Sequence, residues 1–197
     1  MTQTPVKLTF EQYLQHDDRT DNRYELSHGE LVPVPPESVL NSRIARFLFV
    51  QLLNVVGFER IFTHSLELQV LGETQNRFPD LAVVAEIHLE LMEKRTTITL
   101  DMPPPAFVVE MVSPYTNQNE NNYRRDYIEK RREYEERGIP EYWIVDPQAK
   151  RVTVLTLVND RYQATEFSGD RAIAKPPIAS PTFPELELTV DRSLAAK

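Results

Sequence analysis

From Ser38 to about Val56 the apolar residues Leu40, Ile44, Phe47, Leu48, Leu52 and Val55 recur at helical spacing, and Gly57 follows as a stop. A shorter helix is expected over FEQYL, capped by Thr9 and apolar on the face of Phe10, Tyr13 and Leu14. The stretch RYELSHGELVPV holds two short apolar runs around Ser27, His28 and Gly29, the pattern of a hairpin with Gly29 in the turn. HSLELQVL alternates, with Leu66, Leu68 and Val70 on one face, whereas PDLAVVAE and PAFVVEMV are apolar almost throughout, as in strands covered on both sides. A polar loop, SPYTNQNENN, leads into the helical stretch YRRDYIEKRREYEERG, which Gly138 ends. EYWIVD reads as another buried strand, RVTVLTLV with RYQATEF as a hairpin, and PTFPELELTV as a last extended segment. The long helix stands between two continuously apolar strands. That order predicts a right-handed crossover inside a mixed sheet flanked by helices, in a single α/β domain over residues 1–197.

Composition narrows the chemistry more than the fold. Of 197 residues, 41% are hydrophobic and 26% charged, which excludes a disordered chain, a collagen and a coiled-coil rod. The net charge of −8 argues against non-specific nucleic-acid glue. With no cysteine, disulfides, cysteine-bound zinc and thiol catalysis are excluded. The four histidines (His16, His28, His64, His88) lie far apart and form no ligand pair at helical spacing. The five glycines are scattered, so no phosphate-cradling loop exists. No uninterrupted apolar run approaches a membrane span, and the start, MTQTPVKLTFEQYL, lacks the pattern of a signal peptide; a cytoplasmic protein is the expectation.

The chemistry is carried by charges in apolar places. Glu110 stands inside FVVEMV, where an ionised group is costly unless it is paired, either with an arginine near a strand end or in a site. Asp80 opens the run Leu81–Ala85 directly after Pro79 and alone would read as a turn residue. If the two apolar strands are neighbours, Asp80 and Glu110 project side by side, and a magnesium or manganese ion between them would relieve the repulsion. On the long helix Tyr123, Tyr127 and Tyr134 mark one face, and Lys130 falls within it. A lysine there either snorkels to water or meets an anion; opposite a carboxylate pair it would hold an attacking water or offset charge on a phosphorus centre. Glu25 in YELSHGE is either a further ligand or an exposed strand residue. Asp146 in WIVDP is expected to cap a turn, and Ser113 has no base at recognisable spacing.

The ordered set YELSHGELV, RFPDLAVV, PPPAFVVEMVSP and DYIEKRREYEERGIPEYWIVDP resembles the Uma-type family of restriction-endonuclease-like proteins, within the PD-(D/E)XK nuclease superfamily. The resemblance runs from about Leu8 to Leu188. It implies a restriction-endonuclease-like mixed β-sheet flanked by helices, with added β-hairpins, and Mg²⁺- or Mn²⁺-dependent hydrolysis of DNA phosphodiester bonds. It makes Asp80 and Glu110 the metal-binding pair and Glu25 the acidic residue of the first motif. The superfamily pattern places a lysine two residues after the glutamate, where this chain has Val112; the resemblance supplies Lys130 from the following helix instead. It also implies DNA as the substrate and a homodimer as one working form. The alternatives are a non-catalytic nucleic-acid-binding or regulatory protein on the same fold, or a partner-dependent subunit.

Overall fold

The structure, a computed structural model, describes residues 7–17, 19–20, 22–92, 95–169 and 178–194. The first six residues, on which the signal-peptide reading begins, lie outside them.

Thr9 caps α1 (Phe10–Leu14) in a reciprocal box with Gln12, as the sequence predicts. β1 (Tyr24–Ser27) and β2 (Glu30–Pro33) form the expected hairpin. Its two turn residues, His28 and Gly29, both take positive φ (53° and 82°), the conformation a tight two-residue turn requires. Ser38 caps α2 (Val39–Val56), and a short 3₁₀ turn (Phe58–Arg60) leads into β3 (Ile61–Phe62). Then come β4 (Glu67–Gln69), β5 (Asn76–Arg77), β6 (Leu81–Val83), α3 (Glu86–Leu91), β7 (Thr97–Ile98) and β8 (Phe107–Met111). One helical rod follows in three parts: α4 (Asn121–Arg124), a π-helical turn (Arg125–Glu129) and α5 (Lys130–Arg137). Gly138, at φ 80°, closes it in the left-handed conformation. β9 (Glu141–Asp146), β10 (Arg151–Val158) and β11 (Arg161–Ser168) follow, and α6 (Val190–Leu194) is the last element.

Six strands form the central sheet in the order β11-β10-β9-β8-β6-β3. β8 and β9 are parallel, with the helical rod as their connection, and the other pairs are antiparallel. The mixed sheet flanked by helices is the architecture the pattern predicts. Its central strands are buried on both faces, which explains why they read as continuous apolar runs. On one face Leu81, Val83, Phe107, Val109, Trp143 and Val145 pack with Ile44, Leu48 and Leu52 of α2. On the other Ala82, Val108, Val112, Tyr142 and Ile144 pack with Tyr134 of α5. Among the described residues, α2 is long and apolar enough to cross a membrane; here Ile44, Ala45, Leu48 and Leu52 fill this core.

The alternating face of Leu66, Leu68 and Val70 is buried as expected, but β4 lies in a separate three-stranded sheet, ordered β5-β4-β7, and Glu67 on its other face is buried as well. Its carboxylate accepts from Tyr13 Oη (2.5 Å), Asn76 Nδ2 (2.7 Å) and Thr97 Oγ1 (2.7 Å), and pairs with Arg95 Nε at 2.9 Å. Alternation alone does not reveal that a second layer, built from α1 and the small sheet, covers this face. The last extended segment, PTFPELELTV, joins no strand ladder among the described residues: it makes one isolated bridge, Ile178↔Leu188, and ends in α6. Pro181 and Pro184 lack the N–H a ladder needs.

Candidate active site

The antiparallel register of β6 and β8 pairs Leu81 with Val109, so one step further Asp80 stands opposite Glu110. Leu81 and Val109 face α2, so this pair faces the helical rod. Asp80 is fixed by its own neighbour strand: its Oδ2 accepts the Met111 backbone N–H at 2.5 Å. Glu110 is 1% exposed and takes two donors, Lys130 Nζ at 2.7 Å and Tyr134 Oη at 2.5 Å. The strand glutamate and the helix lysine singled out in the sequence are therefore partners.

The π-helical turn shapes the rest. A π turn carries an extra residue per loop of helix, which alters which side chains face inward. Lys130 N–H bonds back to Arg125 O, five residues earlier, and Arg125, Asp126 and Lys130 all reach the site. Asp126, 1% exposed, lies 3.3 Å from Lys130 Nζ and 3.0 Å from Arg125 Nε, and accepts the Ser113 N–H at 2.9 Å. Ser113 Oγ accepts from Arg125 at 2.8 Å. The rod is pinned to the sheet by Asp146, whose Oδ2 accepts from Tyr127 (2.6 Å) and Tyr115 (2.8 Å). Its Oδ1 caps the turn at Ala149 as expected. Arg125, five residues before Lys130, escaped sequence reasoning because a regular helix would turn it away from that face; Asp126, four residues before Lys130, shares the face in a regular helix too and was missed because it reads as an ordinary surface ion pair.

A cavity of about 130 Å³ opens over this cluster, lined by Glu25, Glu37, Asp80, Ser113, Arg125 and Lys130 among others. Glu25 thus reaches the site, but Arg77 Nη1 holds its Oε2 at 2.8 Å, and Arg77 in turn grips Glu133 with two bonds of 2.8 and 2.9 Å. Two other residues converge on Asp80 instead. His64 Nδ1 lies 3.3 Å from Asp80 Oδ1, and Glu37, His64 and Asp80 each offer a ligand atom within 4.8 Å of the others. Spacing gave no sign of them, since His64 and Glu37 lie sixteen and forty-three residues before Asp80. A larger cavity, about 580 Å³, lies beyond Phe78 and is lined by Tyr13, Arg23, Glu67 and Arg95, away from the lysine.

The electrostatics are those of a crowded anionic site. Burial pushes the Glu110 carboxyl up to about 7, against the pull of Lys130. Burial also works against the Lys130 ammonium, yet Glu110, Asp126 and Asp80 together hold its pKa above the usual lysine value. Asp126 stays below the ordinary aspartate value because Lys130 and Arg125 outweigh its burial. Burial and the Asp80 charge raise Glu37, and the hydrogen bond to Asp80 raises His64. Glu37, Asp80, Glu110 and Asp126 face Lys130 and Arg125, with Arg23 at the edge on the His64 carbonyl, among the described residues. That imbalance, made of hard oxygen donors, suits a divalent cation.

The chain is 25% identical over 171 residues to uncharacterized protein sll1609 of Synechocystis sp. (strain ATCC 27184 / PCC 6803 / Kazusa), covering 84% of this chain and 90% of that protein. Its fold is similar to the crystal structure of a putative nuclease belonging to DUF820 from Anabaena variabilis ATCC 29413, with a TM-score of 0.66, 18% identity, and coverage of 98% and 99% of the two chains. The family model described as "Uma2: Putative restriction endonuclease" matches residues 10–191, a span that takes in the hairpin, both buried strands, the rod and the whole Asp80–Glu110–Lys130 cluster. The chain belongs to the Uma2 family.

Proposed function

We propose that the protein is a divalent-metal-dependent nuclease that hydrolyses DNA phosphodiester bonds, with Asp80 and Glu110 as metal ligands and Lys130 as the catalytic cation. The observation that carries this reading is the position of Lys130. Its ammonium is held on Glu110 and Asp126, on the sheet face that carries Asp80. A purely structural lysine would not need three carboxylates around it.

A bound divalent cation would supply an activated water nucleophile and offset the charge that builds on the phosphate. Asp80 Oδ1 and the Glu110 carboxylate supply hard oxygen ligands; Met111 N–H keeps Asp80 oriented. Lys130 remains protonated, so it acts by donating hydrogen bonds to the attacking water or to a non-bridging phosphate oxygen. Arg125, anchored by Asp126 and Ser113, is placed to take the other side of the phosphate. Glu25 lines the same cavity and is a further ligand through the carboxylate oxygen that Arg77 leaves free.

The test is conversion of supercoiled plasmid to nicked or linear forms with Mg²⁺ or Mn²⁺, with chelator controls. Asp80→Ala is expected to reduce cleavage to background, and Lys130→Met to slow it about 100-fold or more, the cost of losing one preorganised donor. Cleavage that ignores chelator, or that both variants retain, would overturn the reading. Metal-dependent DNA binding without any cleavage would instead favour a non-catalytic binding protein on this fold.

A further inference from the structure

We propose that Glu37, His64 and Asp80 form a mixed imidazole–carboxylate metal site that selects Mn²⁺ over Mg²⁺. The inference deepens the nuclease reading through the shared residue Asp80, while the site itself stands on its own geometry.

The three residues come from separate parts of the chain and are held independently. Glu37 follows Pro35 and Pro36, which stiffen the approach to the α2 cap at Ser38. His64 follows β3 and takes φ 54°, an uncommon conformation for a residue with a side chain. Its backbone N–H donates to the Asp80 carbonyl at 3.3 Å while its ring faces the Asp80 carboxylate at the same distance. The histidine is thus positioned by the very residue it would share a metal with.

The spacing is that of ligands around one ion. With ligand bonds of about 2.2 Å, neighbouring donors of an octahedral site stand about 3.1 Å apart and opposite ones about 4.4 Å. The His64–Asp80 separation of 3.3 Å fits a neighbouring pair, and the 4.8 Å limit on the whole group leaves only a small side-chain adjustment. Asp80 Oδ2 is committed to Met111 N–H, which leaves Oδ1 as the oxygen turned to His64. Lys130 is held by Glu110 and Asp126, and Arg23 directs its Nη1 to the His64 backbone carbonyl, so neither forms an ion pair with Glu37 or Asp80 among the described residues. Two converging carboxylates then lack a full countercharge on the His64 side, and a divalent ion provides it.

The imidazole decides which ion. Mg²⁺ prefers an all-oxygen octahedron and keeps several waters, whereas a nitrogen donor suits Mn²⁺ and the later transition ions better. Replacing the imidazole by an amide should therefore weaken Mn²⁺ far more than Mg²⁺.

The experiment is calorimetric titration of Mn²⁺ and of Mg²⁺ into the wild-type protein, His64→Gln and Glu37→Gln, with pulsed electron paramagnetic resonance of the Mn²⁺-loaded samples. Neither Glu37 nor His64 is in the core, and thermal unfolding checks that both variants fold. The expected result is Mn²⁺ binding that is tighter than Mg²⁺ binding and shows nitrogen modulation. His64→Gln should weaken Mn²⁺ at least tenfold, abolish the modulation and change Mg²⁺ affinity less than threefold; Glu37→Gln should weaken both ions. Unchanged Mn²⁺ affinity in His64→Gln, or wild-type spectra without nitrogen modulation, would overturn the site and show that the imidazole serves only as a partner of Asp80. The nuclease reading is judged separately: it stands if the wild-type protein cuts plasmid with Mg²⁺ and Asp80→Ala does not, whatever His64→Gln does to Mn²⁺ binding.

Discussion

Replacing Lys130 by methionine keeps the buried stem and deletes the charge, so it isolates what the ammonium does for the fold. Glu110 would keep one donor, Tyr134 Oη, in a setting 1% exposed. Removing one member of a buried pair costs about 3–5 kcal/mol when the other charge is stranded. The carboxyl can escape by taking a proton, at about 1.4 kcal/mol for each pH unit above its folded-state pKa. That pKa already lies near 7, against an ordinary value of 4.5, and the variant raises it further. A raised folded-state pKa contributes stability that is fully present below the unfolded value and is lost as pH rises through the folded one. At pH 5 Glu110 is protonated in both proteins, and the loss should be about 1 kcal/mol, from the weakened Asp126 contact. At pH 8 it should reach about 2–2.5 kcal/mol, because ionising one pH unit above its folded-state pKa is worth about 1.4 kcal/mol to wild-type Glu110 and is forgone in the variant. For a chain of this size that is a fall in Tm of about 7 °C at pH 8 and about 3 °C at pH 5, followed by circular dichroism. Lys130→Met/Glu110→Gln removes the stranded charge and should recover at least half of the pH 8 loss. An equal fall at both pH values, or a double variant no better than the single one, would refute this account of the pair.

Other measurements probe the rest of the molecule. Glu67→Gln turns an acceptor of four groups into a partial donor, which should cost about 2–3 kcal/mol in urea unfolding, while Glu135→Gln, on the surface pair with Arg161, should cost less than about 1 kcal/mol. Six of the eight tyrosines (Tyr13, Tyr115, Tyr127, Tyr134, Tyr142, Tyr162) are raised by burial, Tyr115 to about 12, so their phenolate absorbance at 295 nm should develop above the usual pH 10. Because these folded-state values are raised, their contribution is intact below pH 10 and is lost as pH climbs through about 12; ionisation of all the tyrosines together near pH 10 without unfolding would contradict it. Gly138→Ala meets no atom within 4 Å but must adopt φ 80°, so thermal unfolding should report a loss of about 1–2 kcal/mol from backbone strain alone.

Local pattern carried the elements whose surroundings are simple. Thr9 and Ser38 capped their helices, Gly29 and Gly138 took the positive φ their positions require, and the uninterrupted apolar strands at Leu81 and Phe107 became the doubly covered centre of the sheet. Periodicity also put Lys130 on the inward stripe of its helix, because helical spacing fixes a face without reference to the rest of the chain. It failed where burial comes from a second layer or where the chain leaves regular geometry. Glu67 alternates like a solvent-facing residue, and only α1 and the small sheet, distant in sequence, enclose it.

The same division holds at the site. The residue types and their order determined that two carboxylates and a lysine sit on apolar elements, where charge is costly and needs a reason. That they meet was decided by strand register: Asp80 opposes Glu110 only because β6 and β8 are antiparallel neighbours paired at Leu81 and Val109. The π turn decided that Arg125 joins Lys130, since one extra backbone residue rotates a side chain that a regular helix would turn away, whereas Asp126, four residues before Lys130, shares its face by ordinary helical spacing. Glu37 and His64 carry no spacing signal. Their approach to Asp80 is set by where a proline-stiffened loop and the turn after β3 end in space, and a contact between segments tens of residues apart leaves no periodic trace in a single sequence.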